Sequence, residues 1–196
     1  MRVLTLNPGS TSTKVALFED DACVFKQTVR HASGELARFS TLAEQLPFRV
    51  ETIATALCEA DVDATSVDAV VGRGGGLLPM RGGVYRVTDL VLRHSVSGVN
   101  GVTHPANLGP TMAYRFAKAA HAQAFVVNPP DTDELCDLAR VTGIAGVYRH
   151  VHLHALNLKE TAIRHAKSLG KRYEECNLIV CHLGGASRYP RTSRGE

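Results

Sequence analysis

The sequence predicts an α/β protein, and three observations carry that expectation. Two apolar runs, "MRVLTL" and "VALF", flank the polar connection "NPGSTSTK" at 7–14 as the arms of a strand hairpin, and "CVFKQTVR" at 23–30 adds a third run. Short apolar runs ending in glycine or proline recur at "AVVG" (69–72), "AFVVNPP" (124–130) and "NLIVCHLGG" (177–185). Between them lie segments whose apolar residues repeat every three or four positions, the period of a helix with one buried face.

Taken in order, residues 2–7 and 14–18 form the hairpin and 23–30 the third strand of an antiparallel start. Leu36, Phe39, Leu42 and Leu46 predict a helix over 33–46 that ends near Pro47. A second helix runs from Phe48 to about Ala60, and "AVVG" is a short buried strand. The glycine-rich "GRGGGLLPMRGGVYRV" after it reads as a pair of tight turns, in which Leu77 and Leu78 either border a pocket or are plain core. "THPANLGPTMAYRFAKAAH" at 103–121 is a loop entering a helix, with Asn107 as N-cap and Leu108, Met112 and Phe116 on one face. "DTDELCDLARVTG" at 131–143 is a short helix whose leading acids suit the helix dipole. "HVHLH" at 150–154 has the period of a strand edge, and a longer helix at 153–170 is closed by Gly170. The apolar run at 177–185 is a last buried strand.

Bulk properties narrow the class. The 196 residues suffice for one core, or for a domain and part of another. A formal charge of +3 from scattered Lys and Arg argues little for nucleic acid, and Arg188, Arg191 and Arg194 carry no recognition motif. The five cysteines form no C-x-x-C pair, which fits reduced thiols in a cytoplasmic protein. The amino-terminal apolar run is too short for a signal segment and no later run would span a bilayer, so neither secretion nor membrane partners are expected. The nine histidines are dispersed without ligand spacing, so structural zinc is not expected.

Chemistry concentrates in the first connection. Ser10, Thr11, Ser12 and Thr13 are more hydroxyl residues than a reversal needs, and Gly9 and Lys14 complete the ingredients of a phosphate cradle: close backbone approach, N–H donors, hydroxyls and a cation. The Walker spacing is absent and a strand, not a helix, follows Lys14. A polar turn whose side chains bond their own backbone is the alternative. Arg73, on a glycine-rich turn after a buried strand, is placed either to reach an anion or as an ordinary surface arginine. His182, opening into Gly184 and Gly185, marks a second candidate phosphate loop.

Seven segments, "LNPGSTSTKVALFED", "VVGRGGGLLPMRGGVYRV", "HPANLG", "FVVNPPDTDEL", "ARVTGI", "HALNLKETAIRHA" and "LIVCHLGG", resemble in order and spacing the acetate and butyrate kinase family of the actin-like ATPase superfamily, the butyrate kinases most closely. The resemblance implies a ribonuclease H-like/actin-like ATPase fold, with a first domain at 1–146, the start of the second, nucleotide-binding domain at 147–185, and a tail at 186–196 outside the family pattern. It implies ATP-dependent phosphorylation of a short-chain carboxylate, reversibly converting butyrate and ATP to butyryl phosphate and ADP. It further implies Mg²⁺, a short-chain fatty acid as substrate, and a homo-oligomer. By the same resemblance Arg73, His104, Asn128 and His154 would serve the reaction, and Asn7, Gly9, Ser10, Ser12, Lys14, His182, Gly184 and Gly185 would bind phosphate or nucleotide, with Asn7 also positioning Mg²⁺.

Three departures stand out. Asn128 replaces an aspartate usual in the family, keeping the hydrogen-bonding shape without the charge. Leu158 occupies the place of a histidine that contacts phosphate in acetate kinases. Beyond Gly185 the match gives way to "ASRYPRTSRGE" where the adenosine pocket would continue. The alternative expectation is therefore a truncated, non-catalytic piece of the fold that acts as a phosphate-binding or interaction module.

Overall fold

Alternate residues of the first strand are buried, and that alternation fixes which face meets the core. The computed structural model describes residues 1–183 and the strand at 191–193; Gly184, Gly185 and the remaining tail residues lie outside the described residues. Strands β1 (Arg2–Pro8) and β2 (Ser12–Glu19) are antiparallel, pairing Leu4 with Leu17 and Leu6 with Val15, and these four side chains are buried. Strand β3 (Ala22–Arg30) continues the antiparallel set.

Two compact units divide the chain, the first comprising Met1–Leu78 with Gly83–Val127. Its six-stranded sheet has the order β3-β2-β1-β4-β6-β5, where β4 is Ala69–Gly72, β5 Val84–Arg86 and β6 Gln123–Val127. Strands β1, β4 and β6 run parallel, so their carboxyl ends lie along one edge, while β5 is antiparallel to β6. Residues paired in register share a face, which aligns Leu17, Leu4, Val70 and Ala124 in one apolar row. Helices α2 (Gln45–Glu59) and α4 (Gly109–Ala119) contribute Leu46, Ile53, Leu57, Met112, Ala113 and Phe116 to the same cluster. Each fully buried Leu, Ile or Met adds roughly 1.5–3 kcal/mol of transfer free energy, so this shared face is the main source of the unit's stability.

Several local expectations are corrected here. Only Ser33–Leu36 (α1) of the predicted first helix forms, and the next helix begins at Gln45, upstream of Pro47. Proline is tolerated there because the first turn's N–H groups have no intrahelical acceptor anyway. Val84–Arg86, read as turn, adds a strand to the sheet edge. Helix α3 (Asp89–Ser97), which the sequence reading passed over, is capped by Thr88 Oγ1 accepting from Val91 N at 3.4 Å and stops at Gly98, φ 61°. Met112 and Phe116 share the buried face of α4 as predicted, Leu108 is buried immediately before the helix, and Asn107 is not its cap. A short 3-10 turn, Pro105–Leu108, precedes α4, and its amide at Ala106 is capped by His104 Nδ1 at 3.1 Å.

The second unit comprises Pro79–Gly82 and the chain from Asn128 onward. Its principal helix, α6 (Ala155–Ser168), buries Ala155, Leu158, Ala162 and Ala166 and ends before Gly170, whose φ of 68° suits a helix stop. The predicted helix at 131–143 shrinks to Asp137–Arg140 (α5), and 150–154 has no regular structure, because period-2 histidines alone supply no strand partner. Of the strand expected at 177–185, the described part, up to residue 183, forms β7 (Asn177–Ile179), paired with β8 (Arg191–Ser193); Ile179 is 72% exposed, so β7 is not the buried strand its apolar run suggested. Among the described residues no helix is long and apolar enough to cross a membrane.

Candidate functional site

In open α/β sheets, ligands bind outside the carboxyl ends of the parallel strands. Asn7 lies near the end of β1, Arg73 follows β4 and Asn128 follows β6. The ladder continues one step past β4, since Arg73 N donates to Leu6 O at 2.8 Å. Arg73 Nη1 then reaches Asn7 Oδ1 at 3.4 Å, and Asn7 is the cross-strand partner of Lys14. Three polar side chains from β1, β2 and β4 thus gather on the sheet's carboxyl edge. Burial pushes the Arg73 guanidinium below its ordinary pKa, yet an arginine stays charged at any physiological pH.

The hairpin tip is held in one shape. Gly9 N donates to Ser12 O at 2.7 Å, closing the turn, and Gly9 O and Ser10 O point inward to accept from Arg49 Nη1 (2.9 Å) and Nη2 (3.3 Å). In a trans peptide the following N–H points opposite its carbonyl, so the amides of Ser10 and Thr11 face away from Arg49. Among the described residues neither amide has a protein partner. Two successive outward N–H groups form the kind of nest that receives an anion. Thr13, one of the four hydroxyl residues, turns inward instead and is fully buried.

Close packing brings a helix end to the same edge. A Cβ on Gly72 would collide with the backbone of Gly109, and one on Gly109 with the carbonyl of Arg73. The two glycines let the amino end of α4 abut β4, adding its partial positive charge beside Arg73. His104 begins the 3-10 turn packed against β1, and because Nδ1 accepts from Ala106 N, the ring proton sits on Nε2. Asn107 is buried and donates from Nδ2 to Val102 O at 2.8 Å, while Gly75 and Gly76 pack on its amide. It braces the glycine loop from within. Leu77 is core, whereas Leu78 is exposed.

In the second unit, Asn128 adopts φ 39°, a left-handed conformation that Asn accepts more readily than most residues. Around Gly82 converge Asn128 Oδ1, Lys159 Nζ and Glu134 Oε1, and Lys159 pairs with Glu134 at 2.8 Å. His154 and His182 stack with ring centroids 4.1 Å apart, and His182 Nδ1 bonds Asn157 Oδ1 at 3.1 Å. Leu158 is 3% exposed and belongs to the buried stripe of α6.

Arg49, Gln45 and His31, which form the floor of the hairpin, were missed by the sequence reading. A signal existed: Arg49 falls three residues after Leu46 and four before Ile53, the apolar stripe of α2, where a cation demands an explanation.

No known family model matches the chain. It is 42% identical over 186 residues to butyrate kinase 1 of Clostridium acetobutylicum, covering 95% of this chain and 52% of that protein. The chain is a butyrate kinase homologue. To butyrate kinase 2 of the same organism it is 43% identical over 184 residues, or 94% of this chain and 51% of the relative. The chain spans about half the length of the curated relatives it matches. Its fold matches that of an acetate kinase from Porphyromonas gingivalis with a TM-score of 0.67 and 18% identity, over 100% of this chain and 55% of that one. The expected ribonuclease H-like/actin-like ATPase fold is therefore present in this butyrate kinase homologue, over about half the length of the full architecture.

Proposed function

We propose that this butyrate kinase homologue serves ATP-dependent, reversible phosphorylation of a short-chain carboxylate, butyrate or a close analogue, in the cytoplasm and as a self-associating protein. The observation that carries the reading is the nest of Ser10 and Thr11 amides flanked by Asn7, Lys14 and Arg73 on the carboxyl edge of the sheet. Phosphoryl transfer asks a protein mainly for alignment and charge neutralisation, which a preformed set of cations and N–H donors supplies.

Each residue then has a physical task. Gly9 keeps the backbone accessible, since even a Cβ there would press on Ser12 O at 3.3 Å. The Ser10 and Ser12 hydroxyls, the outward amides and Lys14 bind phosphate oxygens. Arg73 clamps the carboxylate or the moving phosphoryl group with its planar fork, and partial desolvation strengthens that contact. His104 donates from Nε2. Asn128, His154, His182, Gly184 and Gly185 are assigned to the nucleotide and acceptor sides by the butyrate kinase resemblance. Asn7 offers Mg²⁺ one neutral oxygen, and no cluster of three His, Cys, Asp or Glu exists among the described residues. This set does not make a protein-built magnesium cage, so the metal is assigned to the nucleotide phosphates.

The test is hydroxamate trapping of acyl phosphate from ATP, Mg²⁺ and butyrate, with Arg73→Ala as control. Turnover abolished by Arg73→Ala supports the kinase reading. A folded chain without turnover rejects it for this chain and leaves a phosphate-binding module.

A further inference from the structure

The fully buried guanidinium of Arg49 is the most unusual group in the described structure. Buried charges are ordinarily paired with an opposite charge. Arg49 instead satisfies its N–H groups on neutral acceptors: Nε on Gln45 Oε1 (3.1 Å), Nη1 on Gly9 O (2.9 Å) and Thr13 Oγ1 (3.2 Å), and Nη2 on Ser10 O (3.3 Å) and Gln45 Oε1 (3.1 Å). Among the described residues it forms no ion pair. The acids on the adjoining segments bond elsewhere, Glu35 to the amide of Ala32 and Glu44 to that of Ser40.

Two consequences follow from this geometry. By drawing the carbonyls of Gly9 and Ser10 inward, Arg49 turns the next two amides outward. Because protein dipoles solvate the guanidinium but cancel none of its charge, a net positive charge remains directly beneath the hairpin tip, screened less than a surface lysine would be.

We propose that Arg49 is a positioning residue for anion binding, holding the Gly9–Thr11 tip with its amides outward and supplying from below an uncompensated charge that raises the tip's affinity for phosphate oxygens. The inference rests on the hairpin being a phosphate cradle. Neutral Gln45 is part of the device: a carboxylate in its place would keep every acceptor while cancelling the charge.

Gln45→Glu therefore separates electrostatics from folding. It is nearly isosteric, and an acid in the first turn of α2 also suits the helix dipole. Pyrophosphate is titrated into the ¹⁵N-labelled chain, and amide shifts of Ser10 and Thr11 are followed in wild type, Lys14→Ala, Arg49→Met and Gln45→Glu. The wild-type shifts should saturate and Lys14→Ala should weaken them, which establishes the cradle. Gln45→Glu should keep the sheet resonances and melting temperature of wild type yet bind about tenfold more weakly. Arg49→Met should lose both binding and the wild-type positions of the two tip amides. Undiminished binding by folded Gln45→Glu, with Lys14→Ala impaired, overturns the role of Arg49 and leaves the cradle standing. No shift at Ser10 or Thr11 in wild type removes the cradle, and the inference with it.

Discussion

Gly109, the first residue of α4, lies against the carbonyl of Arg73, so close that a Cβ at position 109 would overlap that oxygen. The contact fixes where the helix dipole ends and where the arginine backbone starts, which makes one glycine common to packing and to the site. Gly109→Ala should cost roughly 1–3 kcal/mol through forced separation of α4 from β4. Gly34→Ala, with nothing near its added carbon, should leave stability almost unchanged. Urea unfolding of the two variants beside wild type checks the contrast.

Arg73→Lys retains a charge but not the fork, and lysine cannot reproduce a bidentate grip on a planar carboxylate or phosphoryl group. Hydroxamate formation should fall by about tenfold or more, as expected for losing one charge-assisted hydrogen bond of roughly 1.5–3 kcal/mol. An unchanged rate would remove Arg73 from the site.

Hairpin, third strand, buried β4 and the inner face of α4 were legible because their patterns are local. Leu4 and Leu6 alternate, and Leu108, Met112 and Phe116 recur every fourth residue. Boundaries set by tertiary context were not. Pro47 suggested a helix end, yet it sits in the first turn of α2, where the missing N–H costs nothing. Val84–Arg86 became a strand because β6 offered an edge, a contact no local pattern encodes. The cradle's polar face could be read in "GSTSTK", whereas its floor left only one trace, the cation Arg49 in the apolar stripe of α2: Thr13 looks like its neighbours in sequence, and only folding turns it toward Arg49.

That floor also predicts a pH response. Thr13 Oγ1 accepts from Arg49 and lies 2.9 Å from His31 Nε2, a hydrogen bond in which either the hydroxyl or the imidazole can be the donor. Burial first, and Arg49 second, hold the His31 pKa below its ordinary 6.5, with Glu35 opposing. The unfolded chain thus binds this proton more readily than the folded one. Stability from the neutral ring is complete above about pH 6.5 and is lost as pH falls from there toward the lower folded value. His31→Asn should flatten that part of a melting-temperature profile. A wild-type profile with no more slope there than the variant's would count against a neutral, desolvated His31.

The backbone at Asn128 offers a separate test of the family departure at that position. With φ at 39°, the residue pays for a left-handed conformation that costs most side chains about 1–2 kcal/mol, and least where a short polar side chain bonds locally. Asn128→Val should therefore destabilise by about 1–2 kcal/mol, whereas Asn128→Gly should change stability little. Asn128→Asp should fold like the parent, because Asp also tolerates this region, while bringing a second carboxylate to the surroundings of Gly82, where Glu134 already pairs with Lys159. Urea midpoints of the three variants measure the backbone effect. If Val and Gly proved equally stable, conformation would not account for asparagine here.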